Sequence, residues 1–297
     1  MIAKFIDLHI HSYYSDDGEF SPADLVRMCH DRGITTMAIA DHNSIKAVDE
    51  ARKEAYKYHI QYINAIEVDC TYRGINLHVL GYGIDYRKNV FYDLEENILR
   101  QERSCSTKKL ELTNNLGFDI QKEQLDGLSR SGIYTGEMFA EILLNDSRYK
   151  KHELLRPYRS GGNRSDNPYV NFYWDFYAQG KPNYTEIIYP SLEKAVNLIT
   201  ENGGVSVLAH PGNNLKGKFE LLDEMIASGL QGVEAFSNYH DENTVEYFLQ
   251  KSRENNLLVT CGSDFHGKTK PAIKLGETMC MIDECEIQND LVKRGLI

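Results

Sequence analysis

The chain has 297 residues, 41% hydrophobic and 26% charged, which is the balance of a soluble globular protein with room for one large domain or two ordinary ones. Its formal net charge of −11 excludes the broad basic surface that stable nucleic-acid or anionic-membrane binding needs. It contains no run of about 18 apolar residues and no charged-then-apolar leader, so no membrane association is expected; six cysteines without a Cys-x-x-Cys pair read as buried thiols in a cytoplasmic protein.

In chain order, Ala3–His9 reads as a first strand. Ser21-Pro22 opens a helix, with serine at the N-cap, proline in the first turn and Asp24 near the positive end of the dipole. Leu25, Val26 and Cys29 give that helix its apolar face, and Gly33 stops it. Thr36–Asp41 is the second strand, a helix follows through Ala47–Tyr58, and Tyr62–Val68 and Leu77–Gly83 are the third and fourth strands. A long interruption begins there, roughly 87–190, too long for an ordinary connection. It opens with a charged helical pattern over Val90–Leu116, passes through basic Lys150, Lys151, Arg156, Arg159 and Arg164, and reaches the aromatic run Asn171–Tyr177. The alternation resumes at Ser191, which caps a helix whose Leu192, Ala195, Val196 and Ile199 recur at helical spacing up to Gly203. Val205–Ala209, a helix marked by Phe219, Leu222 and Ile226, Val233–Phe236, a helix over Asp241–Asn255, and Leu257–Cys261 complete the pattern.

Strands apolar on both faces and alternating with helices imply a buried parallel sheet. The polar residues with chemical potential fall at the carboxyl ends of several strands, where a closed barrel gathers its site; an open doubly wound sheet would gather it at one switch point. The expected fold is therefore α/β, a TIM-like barrel from residues 1–86 and 191–297 with a largely helical insertion, 87–190, over its mouth.

Those polar residues begin with Asp7-Leu8-His9-Ile10-His11-Ser12. Side chains two apart on a strand share a face, so His9 and His11 can grip one ion. Asp41-His42-Asn43, Glu67, His78, His210-Pro211-Gly212 and Gly262–Gly267 follow, and histidine with carboxylate is a donor set for divalent metals. Taken singly, each has a plainer reading: a solvated polar pair for His9 and His11, a salt-bridged carboxylate for Glu67, a satisfied core histidine for His78.

Together, these runs and Ser15-Asp16 closely resemble the polymerase and histidinol phosphatase (PHP) family, on both sides of the insertion. The resemblance implies a distorted (β/α)7 barrel, two to three divalent ions (manganese, iron or zinc), and hydrolysis of a phosphate ester. On this chain it implies that His9, His11, Glu67 and Asp264 hold the first ion. Glu67, His78 and His210 would hold the second, and Asp16, His42 and His266 the third, with Asp17 a rival to Asp16. Glu67, Asp264 and His210 stand closest to the implied chemistry, in which ions sharing Glu67 hold a hydroxide for attack on phosphorus. Asp7 and Asp41 precede ligand histidines, and their expected task is to orient the imidazoles.

The partner expected is a small anionic phosphorylated substrate. Arg159 or Arg164 could fork onto a second phosphate, and Lys181 and His240 are candidates at the rim; the plain alternative is a solvated loop. The aromatics Phe172–Tyr177 read as lid packing more than as a base stack. Many nucleotide-cleaving relatives carry an Arg-Pro-His-like run where this chain has Ile133-Tyr134-Thr135-Gly136-Glu137-Met138, which puts a nucleotide in doubt and makes a phosphorylated or cyclic-phosphate sugar a serious option beside it. The alternatives are a C–N hydrolase of the amidohydrolase kind, which would need neither Asp16 nor His42, and a nuclease of the same fold.

Overall fold

The computed structural model describes residues 4–297, so Ala3, placed above at the head of the first strand, lies outside the described residues. The strand itself, β1, is Ile6–Ile10. It is followed by α1 (Pro22–Asp31), β2 (Thr36–Ile39), α2 (Val48–Lys57), β3 (Gln61–Tyr62), β4 (Ala65–Tyr72) and β5 (Ile75–Tyr82). Four helices make up the insertion: α3 (Asn89–Asn114), α4 (Lys122–Asp126), α5 (Gly136–Asn145) and α6 (Pro168–Phe176). The chain then runs through α7 (Leu192–Glu201), β6 (Val205–Leu208), α8 (Pro211–Leu215), α9 (Leu221–Ala227), β7 (Gly232–Phe236), α10 (Glu242–Asn255), β8 (Leu258–Cys261) and α11 (Glu284–Lys293). Local chemistry sets the helix starts: the hydroxyls of Ser21 and Ser191 accept from the amides of Asp24 and Lys194 at 3.1 and 3.3 Å.

The sheet departs from the expected parallel ring in two ways. It is mixed: β4 and β5 pair antiparallel, as do β5 and β6, while β1-β2-β3 and β6-β7-β8 are parallel. The cause is local, since β4 runs on to Tyr72 and turns through Arg73-Gly74, both at positive φ (48° and 75°), a two-residue hairpin that permits only antiparallel return. Second, the strands form a three-stranded and a five-stranded sheet and not one closed ladder. The sheets touch at two isolated bridges, Ile10 with Phe265 and His42 with Glu67. Both seams consist of residues flanking or belonging to the donor set. A continuous apolar core, including Leu8, Ile66, Val79, Leu208, Val233 and Leu258, fills the space beneath.

The insertion has an apolar cluster of its own around Phe118, Leu125, Phe139, Leu143, Leu155 and Phe172. Arg130 ties it to the loop after β1, donating to the carbonyls of Tyr13 and Gly18 at 3.1 and 3.2 Å.

Candidate metal centre

Six strands (β1, β2, β4, β5, β6 and β8) and their following loops deliver histidine and carboxylate to one basin. β1 is buried along its whole length, and His9 and His11 project from the same face of it. Their Nε2 atoms lie 3.0 Å apart. Glu67, fully buried on β4, is the hub: Oε2 is 3.3 Å from His9, 3.2 Å from His11 and 3.2 Å from His42, and Oε1 is 3.0 Å from His78 and 3.2 Å from His210. Asp264 Oδ1 lies 3.2 Å from His11 Nε2 and 3.4 Å from His266 Nδ1. His210 and Asp264 hold φ of 24° and 58°, a region that non-glycine residues seldom occupy and that recurs at functional sites. Gly262 lets β8 approach, because a Cβ there would stand 2.2 Å from His9 Cβ.

The basin fits divalent ions. With metal–ligand bonds of about 2.0–2.2 Å, the donors around one ion stand roughly 3.0–3.6 Å apart, the spacing found here. His9 donates from Nδ1 to Glu234 at 3.0 Å, and His11 Nδ1 meets Ser15 Oγ at 3.0 Å, so two Nε2 lone pairs are left face to face. Glu67 Oε2, His210 Nδ1 and His266 Nε2 are buried with no hydrogen-bond partner among the described residues, a costly state that a cation would relieve for the inward-facing atoms. Four triads of donor atoms lie within 4.8 Å: His9, His11 and Asp264; His9, Glu67 and His210; His11, His42 and His266; and His42, Asp69 and His78.

The electrostatics agree. Burial works to raise Glu67 and Asp264, yet His9, His42 and His78 around Glu67, and Lys270 and His266 beside Asp264, hold both well below the usual carboxylate range. Burial pushes His210 and His266 down, toward the neutral imidazole that a metal requires. His42 is driven up to about 10, its burial outweighed by Glu67 and Asp69.

The supporting contacts partly revise the expected ones. Asp41 does act toward an imidazole, through Ser15, whose hydroxyl bonds Asp41 at 2.9 Å and His11 at 3.0 Å. Asp7 does not: it accepts backbone N–H groups from Ser263 and Gly276, at 2.9 and 2.8 Å, and so fixes the Asp264 loop. His9 is oriented instead by Glu234, whose other oxygen takes the His210 amide at 2.8 Å.

Asp16 is not brought into the basin; its carboxylate accepts from Ser131 of the insertion at 2.7 Å. Asp17 is the carboxylate facing His266, at 3.3 Å. Three residues expected at the substrate are elsewhere. Arg159 is consumed by the carbonyls of Leu143, Leu144 and Tyr149, Lys181 is exposed and does not line the cavity, and His240 has both nitrogens engaged, by Ala235 O and Gly212 N. Arg164 is paired with Asp175 at 2.9 Å. The structure adds Asp69, two positions after Glu67 on the same strand face, 3.2 Å from His42 and 3.4 Å from His78. It was readable by the spacing rule that selects His9 and His11.

The basin opens into a cavity of about 510 Å³ whose far wall is the insertion: Glu137, Tyr173, Trp174 and Tyr177, with Tyr184 and Tyr189 beyond. Lys216 and Lys218 stand at its mouth, exposed and without a carboxylate partner among the described residues.

Residues 7–228 match the family model described as the PHP domain, three quarters of the chain, and the chain belongs to that family. It is 27% identical over 277 residues, 92% of its length and 91% of the relative's, to a 3′,5′-nucleoside bisphosphate phosphatase of Chromobacterium violaceum. It is 26% identical, over 88% of its length and 94% of the relative's, to a phosphoribosyl 1,2-cyclic phosphate 1,2-diphosphodiesterase of Eggerthella lenta. A 5′-3′ exoribonuclease of Haemophilus influenzae is 25% identical over 95% of this chain and 97% of its own. Among solved structures, one described as a metal-dependent phosphoesterase of Bifidobacterium adolescentis superposes with a TM-score of 0.78 at 25% identity, covering 98% of this chain and 96% of that one. With its converging donor triads, the chain is a metal-dependent hydrolase of phosphate-ester bonds.

Proposed function

Proceeding from PHP-domain membership, we propose that this enzyme cleaves a phosphate ester of a compact metabolite, such as a phosphorylated or cyclic-phosphate sugar or a nucleoside bisphosphate. The observation that carries this reading is the cavity of about 510 Å³ shared by the basin and the insertion. A phosphoryl group fits at His42, His78, His210 and Asp264, and the rest of the molecule fits against Tyr173 and Trp174. In this reading residues 87–190 act as a cap over a barrel-like body, and the barrel is one whose two seams stay open for ligands.

Two to three divalent ions, of manganese, iron or zinc, are the proposed cofactors. His9, His11 and Asp264 would hold one, Glu67, His78 and His210 a second, and His42, His266 and Asp17 a third, with Glu67 shared and Asp69 beside His42 and His78. Such ions supply Lewis acidity for the phosphoryl oxygens and the attacking water. The chain itself does the rest. Glu67, fixed by five imidazoles, sets the spacing of the donors. Lys270 and Tyr239 hold the second oxygen of Asp264. Glu137, a buried carboxyl on the cavity wall, is the candidate to hand a proton to the leaving oxygen.

The test is an assay of chelated and of manganese-, iron- and zinc-loaded enzyme. Its panel holds phosphomonoesters, ribose cyclic phosphates, 3′,5′-bisphosphates and a single-stranded oligoribonucleotide. Metal-dependent turnover of a small ester is expected. Turnover of the oligonucleotide alone, or of no phosphate ester with each metal, would overturn the reading.

A further inference from the structure

A second group of donors lies outside the cavity, where the C-terminal helix α11 meets β1 and β8. Cys261 ends β8, Cys280 sits in the segment before α11, and Glu284 is the first residue of α11. Their Sγ and Oε atoms lie within 4.8 Å of one another, and all three residues are buried, Glu284 completely. None of them lines the cavity of the phosphoesterase basin.

Glu284 is held rigidly but only half satisfied. Its Oε2 accepts the amides of Phe5 and Ile6 at 2.5 and 2.8 Å. Its Oε1 has no hydrogen-bond partner among the described residues. The adjacent thiols do not supply one: Cys261 points its S–H at Ile6 O (3.9 Å) and Cys280 at Ile282 O (3.6 Å). Among the described residues the nearest cation is Lys4, whose Nζ lies 3.7 Å away on a side chain 39% exposed and also donates to the Cys280 carbonyl. A buried carboxylate oxygen aimed at two thiols without a donor is a costly arrangement for a purely structural contact.

We propose that Cys261, Cys280 and Glu284 form a second, sulfur-rich metal site that takes one zinc-class ion and clips α11 to the β8 edge. Two thiolates and a carboxylate suit a borderline-soft d10 ion, whereas the imidazole and carboxylate basin also suits harder manganese and iron. Binding releases the two thiol protons to solvent and forms two metal–sulfur bonds and one metal–oxygen bond. The resulting centre carries one net negative charge, which Lys4 offsets. The ion would anchor the chain on both sides of the Gly262–His266 loop, and so stiffen the approach of Asp264. This proposal does not depend on which ester the enzyme cleaves.

Cobalt(II) titration of the full-length, metal-free protein tests it. Cobalt bound by thiolate gives a near-ultraviolet sulfur-to-metal charge-transfer band that a histidine and carboxylate centre does not. The band is expected in the unmodified protein and in His11→Ala, and lost in Cys280→Ser. In the unmodified chain, zinc should also protect Cys261 and Cys280 from alkylation under partly denaturing conditions while exposed Cys285 reacts, a readout that survives if Cys280→Ser does not fold. Absence of the band at saturating cobalt, its persistence in Cys280→Ser, or alkylation of Cys261 and Cys280 at the same rate with and without zinc would each overturn the proposal.

Discussion

Asp17 and His266 face each other at 3.3 Å (Oδ2 to Nε2), while Asp16, one residue earlier, turns its carboxylate out to Ser131. Adjacent aspartates in a tight turn thus serve two elements, the basin and the insertion. Burial would raise Asp17, but His266, His42 and Lys270 pull it down to about 2; burial dominates at Asp16 and raises it to about 6. Asp17→Asn should remove one bound ion, counted by mass spectrometry, and lower kcat by ~100-fold or more. Asp16→Asn should leave the ion count intact and change only the docking of the insertion, read by hydrogen exchange around Ser131. Equal loss of metal in the two variants would reverse these roles.

Glu234 bridges two candidate ligands, taking the His9 imidazole on one oxygen and the His210 amide on the other. Glu234→Gln keeps the volume but sets an NH2 group against one of those two donors. Outer contacts of this kind are worth about 10–100-fold in metal affinity. The expected result is that much weaker binding at unchanged stoichiometry, with activity restored by excess metal. Unchanged affinity would show that His9 needs no such support.

How much of this was legible beforehand follows from the range of each cue. The strand period is local, so His9 with His11 could be paired by inspection, and Asp69 could have been paired with Glu67 in the same way. The N-caps at Ser21 and Ser191 and the helices after them are equally local. The Arg73-Gly74 hairpin was missed because the third strand was ended at Val68, four residues short of the end of β4. Which of Asp16 and Asp17 points inward depends on Ser131, more than a hundred residues away, and no spacing rule reports that. Arg159 shows the same limit: a free-looking guanidinium is consumed by three carbonyls of its own insertion.

Lys216 and Lys218 are the exposed cations of the cavity mouth, whereas Lys270 is committed to Asp264 and Lys109 to Glu102. In a chain of charge −11 they are the groups that can draw an anion toward the basin. Lys216→Ala with Lys218→Ala should raise KM for a doubly charged ester by roughly 3–10-fold at low salt, leave kcat nearly unchanged, and lose that effect as ionic strength rises. A fall in kcat with KM unchanged would place the lysines in the chemistry instead.

Glu137 supplies the pH test. It is buried at the start of α5 with no cation within salt-bridge reach among the described residues, and burial, reinforced by the charge of Asp17, raises its carboxyl to about 7. A carboxyl whose folded pKa exceeds its unfolded value binds more protons when folded, so stability falls as pH climbs between the two. For the metal-free protein this predicts a loss between about pH 4.5 and pH 7, of order ~3 kcal/mol at most from this group. Glu137→Gln should flatten that segment of the denaturation-midpoint profile and make the metal-free protein more stable at pH 8 than its parent. Metal loading partly neutralises Asp17 and should shift the segment to lower pH. If Glu137 also supplies the leaving-group proton, the same variant should lower kcat by ~100-fold or more and remove the alkaline decline in rate. A variant with the parent's stability profile and the parent's rate profile would leave this carboxyl with neither role.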